Sequence, residues 1–312
     1  MTRKQNGPRT ANRSGRRRET LAAYGFISPW LIGFVVFTAG PMIASLVLSF
    51  TDYDGIGHTH GVGLDNYRQL FQDPNVANSL LNTLVFTVLR VPLSMAAALA
   101  LAMLLLRAGR ASGFFRTVFY LPVMTPPVAV GILFLLLFNG NQGLINHVLG
   151  MVGIPGPSWT TDSAWVKPGL VLTSLWSVGS TVIIYLAALR NVPQELYEAA
   201  ELDGVGPWNR FRHVTLPQIS GALFFTLIVN TIASLQTFTE AYTAFFGSTN
   251  SQTYSSDAAL FYVVYLFQEA FQYMHMGYAS ALAWLLFLVI LAITAVQAKL
   301  SKRFVYYEGD PR

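Results

Sequence analysis

Side chains able to do chemistry are few in this chain, and their placement says more than their number. The stretch Asn230-Thr-Ile-Ala-Ser234-Leu-Gln236-Thr237-Phe-Thr239-Glu240-Ala-Tyr242 sets amides, hydroxyls and a carboxylate inside an otherwise apolar run. Asn230, Ser234 and Thr237 recur at helical spacing, as do Gln236, Thr239 and Glu240. Polar groups at membrane depth face a cavity or another helix. Hydrogen bonding between helices explains this set as well as cavity lining does. Trp176, Ser177, Ser180 and Tyr185 divide in the same way. Arg90 falls well inside an apolar stretch, where a guanidinium is costly unless paired or hydrated. We expect it to face a cavity or to meet an acidic group of a partner subunit. Nucleophile and base are nowhere paired at depth, which argues against a membrane-embedded enzyme. The absence of Cys excludes disulfides, Cys-ligated zinc and thiol chemistry. His58 and His60 read as part of a solvated Gly-rich turn, so no metal site is expected.

A second set of residues is suited to gripping another protein. Within residues 191–219, Pro193 fits the first turn of a helix. Glu195 through Leu202 are mostly good helix formers, and Glu195 and Glu198 favour the positive N-terminal end. Asp203-Gly204 supplies a stop in the left-handed conformation. A second short helix starts at Pro207, and Leu216-Pro217 is expected to end it. The result is a helix–turn–helix unit with small Ala side chains on one face. A helix lying on lipid would be rich in Lys and Arg, whereas the first half of this unit is acidic and anionic headgroups would repel it. A protein partner fits better.

The elements that must position these groups are membrane spans. The chain has 312 residues, 53% hydrophobic and 11% charged, against about 25% charged in a soluble domain. Six apolar stretches are long enough to cross a bilayer: Leu21–Phe50, Leu80–Leu106, Thr117–Phe138, Gly169–Leu189, Gly221–Phe238 and Ser280–Ala298. Continuous apolar runs, rather than alternating ones, disfavour a barrel. The first run exceeds a signal-peptide core in length and reads as a retained span. Pro126-Pro127 is expected to bend the third. With both termini in the cytoplasm, 17 of the 20 basic residues lie inside, as the positive-inside rule requires. Charge placed at span ends also argues against nucleic acid as a partner. The expected organisation is a disordered basic N-terminus over 1–20, a transmembrane domain over 21–298 with the hairpin at 190–218, and a cytoplasmic tail over 299–312.

Glu198-Ala199-Ala200-x-x-Asp203-Gly204, followed by Phe211 and Leu216-Pro217, resembles the EAA loop of binding-protein-dependent ABC importer permeases. The sequence departs from that pattern at Val205, where Ala is usual, at Val214 in place of Ile, and at Ser220 in place of a last Pro. Further stretches are similar to the carbohydrate branch, the maltose and glycerol-phosphate type: Phe26-x-x-Pro29, Pro41, Asn66-Tyr67, Asn82-Thr83, Tyr120-Leu-Pro122, Gly277-Tyr-Ala-Ser-Ala281 and Tyr306-Tyr-Glu308.

The resemblance implies an all-α type I ABC importer permease fold with six transmembrane helices in the cell membrane. It implies that Glu198, Ala199, Ala200, Asp203, Gly204, Leu216 and Pro217 form the contact with a separate ATPase. It implies a second homologous permease subunit, two ATP-binding subunits, an extracytoplasmic sugar-binding protein and a sugar substrate. ATP and Mg would belong to the ATPase. None of the four Lys sits in a phosphate-binding loop, so this chain is expected to bind no cofactor and catalyse no reaction. Arg90, Trp176, Tyr185, Asn230, Ser234, Gln236, Thr237 and Glu240 would then line the substrate route. A permease for peptides or another small solute is the nearest alternative. A secondary transporter is less favoured, because only Glu240 approaches a coupling carboxylate within a span and no internal repeat is visible.

Overall fold

The computed structural model describes residues 13–57, 59–140, 142–246 and 257–305. Among them all regular structure is helical, apart from one isolated bridge between Thr51 and Gly61. Four helical units are long and apolar enough to cross a membrane singly: 19–48, 74–107, 220–245 and 276–302. Two bent pairs complete the six spans, one over 109–137 and one over 163–190.

The first span joins α1 (Arg13–Phe34) to α2 (Gly40–Leu48) through a widened π turn at Val35–Ala39. Pro41 follows that turn, and the extra residue makes room for a ring that would crowd the preceding carbonyl in a regular helix. Among the described residues this helix already includes 13–20, a stretch expected to belong to a disordered tail. Arg and Glu are good helix formers, and a formed span is a nucleus onto which turns add cheaply. Residues 1–12 and the Tyr306–Glu308 stretch lie outside the described residues.

After α3 (Asp65–Gln72), the second span is α4 (Pro74–Arg107). Asp73 caps it by accepting a hydrogen bond from the Asn75 N–H at 2.8 Å, with Pro74 at the first position. The same Asp73 carboxylate accepts hydrogen bonds from the phenols of Tyr265 and, at 2.8 Å, Tyr278. Burial first, and then the bond to Asp73, push the Tyr265 phenol well above its usual range, so it remains a donor. Asn66 Nδ2 donates to the carbonyls of Ser49 and Thr51 at 2.9 and 2.8 Å. These bonds clamp the loop after the first span to the two spans beside it.

The third span is α5 (Ser112–Tyr120), a 3-10 turn over Leu121–Met124 and α6 (Pro127–Leu137), bent by 94°. Thr125 and Pro126 are extended there, as a residue before proline must be. Helix α7 (Leu144–Met151) packs in the following loop. The fourth span joins α8 (Ser163–Ser174) to α9 (Gly179–Arg190) with a 54° bend at the 3-10 turn Leu175–Ser177.

Then come α10 (Gln194–Leu202), α11 (Pro207–Arg210), a second π turn at Phe211–Thr215 and α12 (Leu216–Gln218). The second short helix therefore does not end at Leu216-Pro217. The π turn accommodates the Pro217 ring as the earlier one accommodates Pro41, and the break falls at Ile219. The fifth span is α13 (Ser220–Leu235) followed by α14 (Thr239–Phe245). It was expected to run unbroken through Phe238. Instead it breaks at Gln236–Phe238, and Thr237 leaves the helical series of Asn230 and Ser234. Helix α15 (Tyr262–Phe267) precedes the sixth span, α16 (Met276–Phe304), which continues six residues past the expected limit at 298.

Three apolar cores hold the described spans together: one joins Leu70, Val76, Tyr262, Tyr278 and Leu282, and two more lie along the bundle. One gathers Phe86, Phe134, Phe138, Trp159, Phe245 and Phe261 near the loop end. The other packs Ala98, Ala102, Leu105, Tyr185, Leu189 and Ile219 near the hairpin end. None of the most apolar window of the first span is buried against the rest of the chain.

Candidate functional site: a protruding hairpin and a charged cavity

The hairpin is closed by its own backbone. Gly204 has φ +70°, which only glycine adopts without strain. That geometry lets the Gly204 N–H donate to Glu201 O at 3.1 Å and the Val205 N–H donate to Ala200 O at 2.9 Å. The pair of bonds is a Schellman closure, with Ala200 buried at its base. Two side-chain links tie α10 to the return segment: Tyr197 with Thr215 at 3.1 Å, and Arg210 with Glu201 at 3.7 Å.

Among the residues expected to make the contact, Glu198, Ala199, Asp203 and Gly204 are exposed. Ala200 is buried in the closure, and Leu216 and Pro217 are half-buried at the base. Glu198 accepts a hydrogen bond from Gln194 Nε2 at 2.9 Å and remains open to solvent. Leu202, 90% exposed, and Trp208, 69% exposed, project from the hairpin beside these acids. The sequence reading named neither of these two large apolar side chains.

A cavity of about 230 Å³ lies among α4, the bent third and fourth spans and the start of α14. Arg90, Thr237 and Glu240 line it together. Arg90 Nη1 donates to Thr237 Oγ1 at 3.1 Å, and its guanidinium lies 5.5 Å from the centre of the Phe86 ring. Glu240 attracts that charge without touching it. Arg90 thus faces a cavity and finds partners within its own chain. The fifth-span break is what brings Thr237 to it.

Close packing places Glu240. Gly131 of α6 lies against α14, and a Cβ there would come within 2.8 Å of Thr243 Cβ and 3.0 Å of Glu240 O. The remaining wall includes Phe86, Phe134, Thr125, Thr173, Ser174 and Ser177. Ser177 was among the polar residues read from the fourth span; most of the others sit in apolar runs that gave no signal. Phe86 was accessible to reasoning, because it lies one helical turn from Arg90.

The other residues expected on the route are not at this cavity. Tyr185 is fully buried and shares a 2.6 Å hydrogen bond with Thr226, so it joins two helices. Ser234 is fully buried in α13. Asn230 is half-buried, and Gln236 and Trp176 are exposed. In the loop following the first span, His60 Nδ1 lies 3.4 Å from Asp52 Oδ2 and His58 lies outside the described residues.

Residues 90–306 match the family described as the binding-protein-dependent transport system inner membrane component. The probable ABC transporter permease protein YesP of Bacillus subtilis (strain 168) is 41% identical over 299 residues, covering 94% of each chain. The lactose transport system permease protein LacF of Rhizobium radiobacter is 33% identical, over 92% of this chain and 96% of its own. The sn-glycerol-3-phosphate transport system permease protein UgpA of Pectobacterium atrosepticum is 32% identical, over 93% and 97%. In three dimensions the fold is similar to a chain of a bacterial alginate ABC transporter, solved in complex with an alginate pentasaccharide-bound periplasmic protein. The TM-score is 0.78 at 22% identity, over 92% of this chain and 96% of that one. With its family match covering residues 90–306 and its described spans all helical, this chain belongs to the inner membrane components of binding-protein-dependent transport systems.

Proposed function

We propose that this chain is the transmembrane permease subunit of an ATP-driven sugar importer. It forms half of a translocation pathway and couples to a separate ATPase through the hairpin at 190–218. The observation that carries this reading is the hairpin itself: an acidic helix, closed by Gly204, with Leu202 and Trp208 projecting beside its carboxylates. Relatives named for lactose and arabino-oligosaccharide transport support sugar as the solute class.

The partners are a second permease, two ATP-binding subunits and an external sugar-binding protein. ATP and Mg are bound by the ATPase subunits. The distribution of basic residues supports cytoplasmic termini and a cytoplasmic hairpin. When the ATPase pair closes, the hairpins are drawn together and the spans rock. Coupling requires that the closed motor favour the outward-facing cavity through differential contacts. The Gly204 closure and the Tyr197–Thr215 link stiffen the hairpin, so its displacement passes into α13. The far end of that span carries Thr237 and Glu240 to the cavity.

Purification of the tagged chain from a membrane extract tests the assembly. We expect an ATPase subunit and a second permease to be recovered with it. Sugar flux through proteoliposomes containing this chain alone, without ATP, would overturn the proposal.

A further inference from the structure

Relatives of this chain are named for a neutral disaccharide in one case and for an anionic glycerol phosphate in another, so membership leaves the charge of the solute open. We infer that the cavity between α4 and α14 selects an uncharged polyhydroxylated ring over its carboxylate counterpart, because Arg90 and Glu240 face the same small space and cancel. This inference rests on the pathway reading above and narrows its substrate class.

The two charges are present but unspent. Arg90 uses one N–H on Thr237 Oγ1 and keeps further donors of its five. Among the described residues the Glu240 carboxylate accepts no hydrogen bond and enters no ion pair within 4.0 Å. Its acceptor capacity is open, and so is part of the donor capacity of Arg90. A sugar hydroxyl both donates and accepts, so adjacent hydroxyls can give to Glu240 and receive from Arg90. Ser174 and Ser177 donate to their own helix backbone and so offer acceptor oxygens, Thr237 accepts from Arg90 and can donate its own proton, and Phe86 and Phe134 close the apolar side of the wall. About 230 Å³ is below the roughly 300 Å³ at which drug-sized pockets begin, so one ring is held at a time.

An anionic ring fares differently. Its carboxylate is attracted by Arg90 and repelled by Glu240 across the same low-dielectric space, and at comparable distances the two effects offset. It must also give up its hydration, with no net charge in the cavity to compensate. A neutral ring loses no charge hydration and satisfies both poles. Glu240 is therefore the element that works against the wrong solute.

Methyl glucoside and methyl glucuronide differ only in a hydroxymethyl against a carboxylate and serve as probes. Binding of each is measured calorimetrically to the full chain, purified with the subunits that accompany it, in lipid nanodiscs. We expect the wild type to favour the glucoside. Glu240→Gln should move the preference toward the glucuronide by about tenfold, a change typical of removing one repulsive charge. Arg90→Lys, which keeps the charge, should weaken both probes and leave their order unchanged, and it stands in if Glu240→Gln does not fold. A wild type that favours the glucuronide overturns the inference. So does a Glu240→Gln protein with altered affinity but an unmoved preference, and in that case the pathway reading survives. Unchanged binding of both probes in both variants removes the pathway reading itself.

Discussion

The hairpin and the cavity are built on opposite plans. Every bond that shapes the hairpin joins residues close in sequence, from the Val205–Ala200 closure to the Tyr197–Thr215 link. The cavity draws Arg90, Gly131, Ser174 and Glu240 from four different spans. A local motif can be read one residue at a time. A site made of distant pieces depends on every bend that brings them together.

That contrast predicts two kinds of lesion. The largest effect is expected at Gly131. Gly131→Val should force α14 away from α6 and displace Glu240, costing about 2–3 kcal/mol through overpacking. Thermal unfolding in detergent should move to lower temperature, and sugar binding should fall with it. Normal binding in a stable Gly131→Val protein would show that the cavity does not depend on this approach.

Gly204→Val should do the reverse. Placing a β-branched residue at φ +70° costs about 1–2 kcal/mol, confined to an exposed turn. Bilayer insertion and sugar binding should persist, while sugar no longer stimulates ATP hydrolysis in the reconstituted complex. Retained stimulation would mean that the hairpin tolerates distortion and the coupling contact lies elsewhere.

Tyr185→Phe should have the smallest effect. It removes one interhelical hydrogen bond to Thr226, worth about 0.6 kcal/mol between membrane helices. A slight loss of stability with unchanged sugar affinity is expected. A large loss of affinity would return Tyr185 to the substrate route.

Span number and type were legible because an apolar stretch about 20 residues long has few alternatives to crossing a bilayer. The turn at Asp203-Gly204 was legible because glycine is the residue that takes that backbone angle freely. Less was visible in the fifth span. Asn230, Ser234, Thr237 and Glu240 share one polar stretch, yet only Thr237 and Glu240 reach the cavity. The break at Gln236–Phe238 separates them from the others, and the bond from Arg90 to Thr237, 147 residues apart in the chain, holds the broken segment in place. Tyr185 looked as suited to a cavity as to an interhelical bond. Its partner, Thr226, lies on another span, so neighbouring sequence could not decide between the two.

By itself, then, the sequence determined that this protein crosses the membrane repeatedly and carries an acidic hairpin between its fourth and fifth spans. Apolar length and backbone propensity act over a few turns, and both are written in consecutive residues. Tertiary structure alone decided which polar groups share a cavity. That depends on a 94° bend in one span, a break in another and a glycine-thin contact between α6 and α14. Each of these is fixed by packing between segments far apart in the chain.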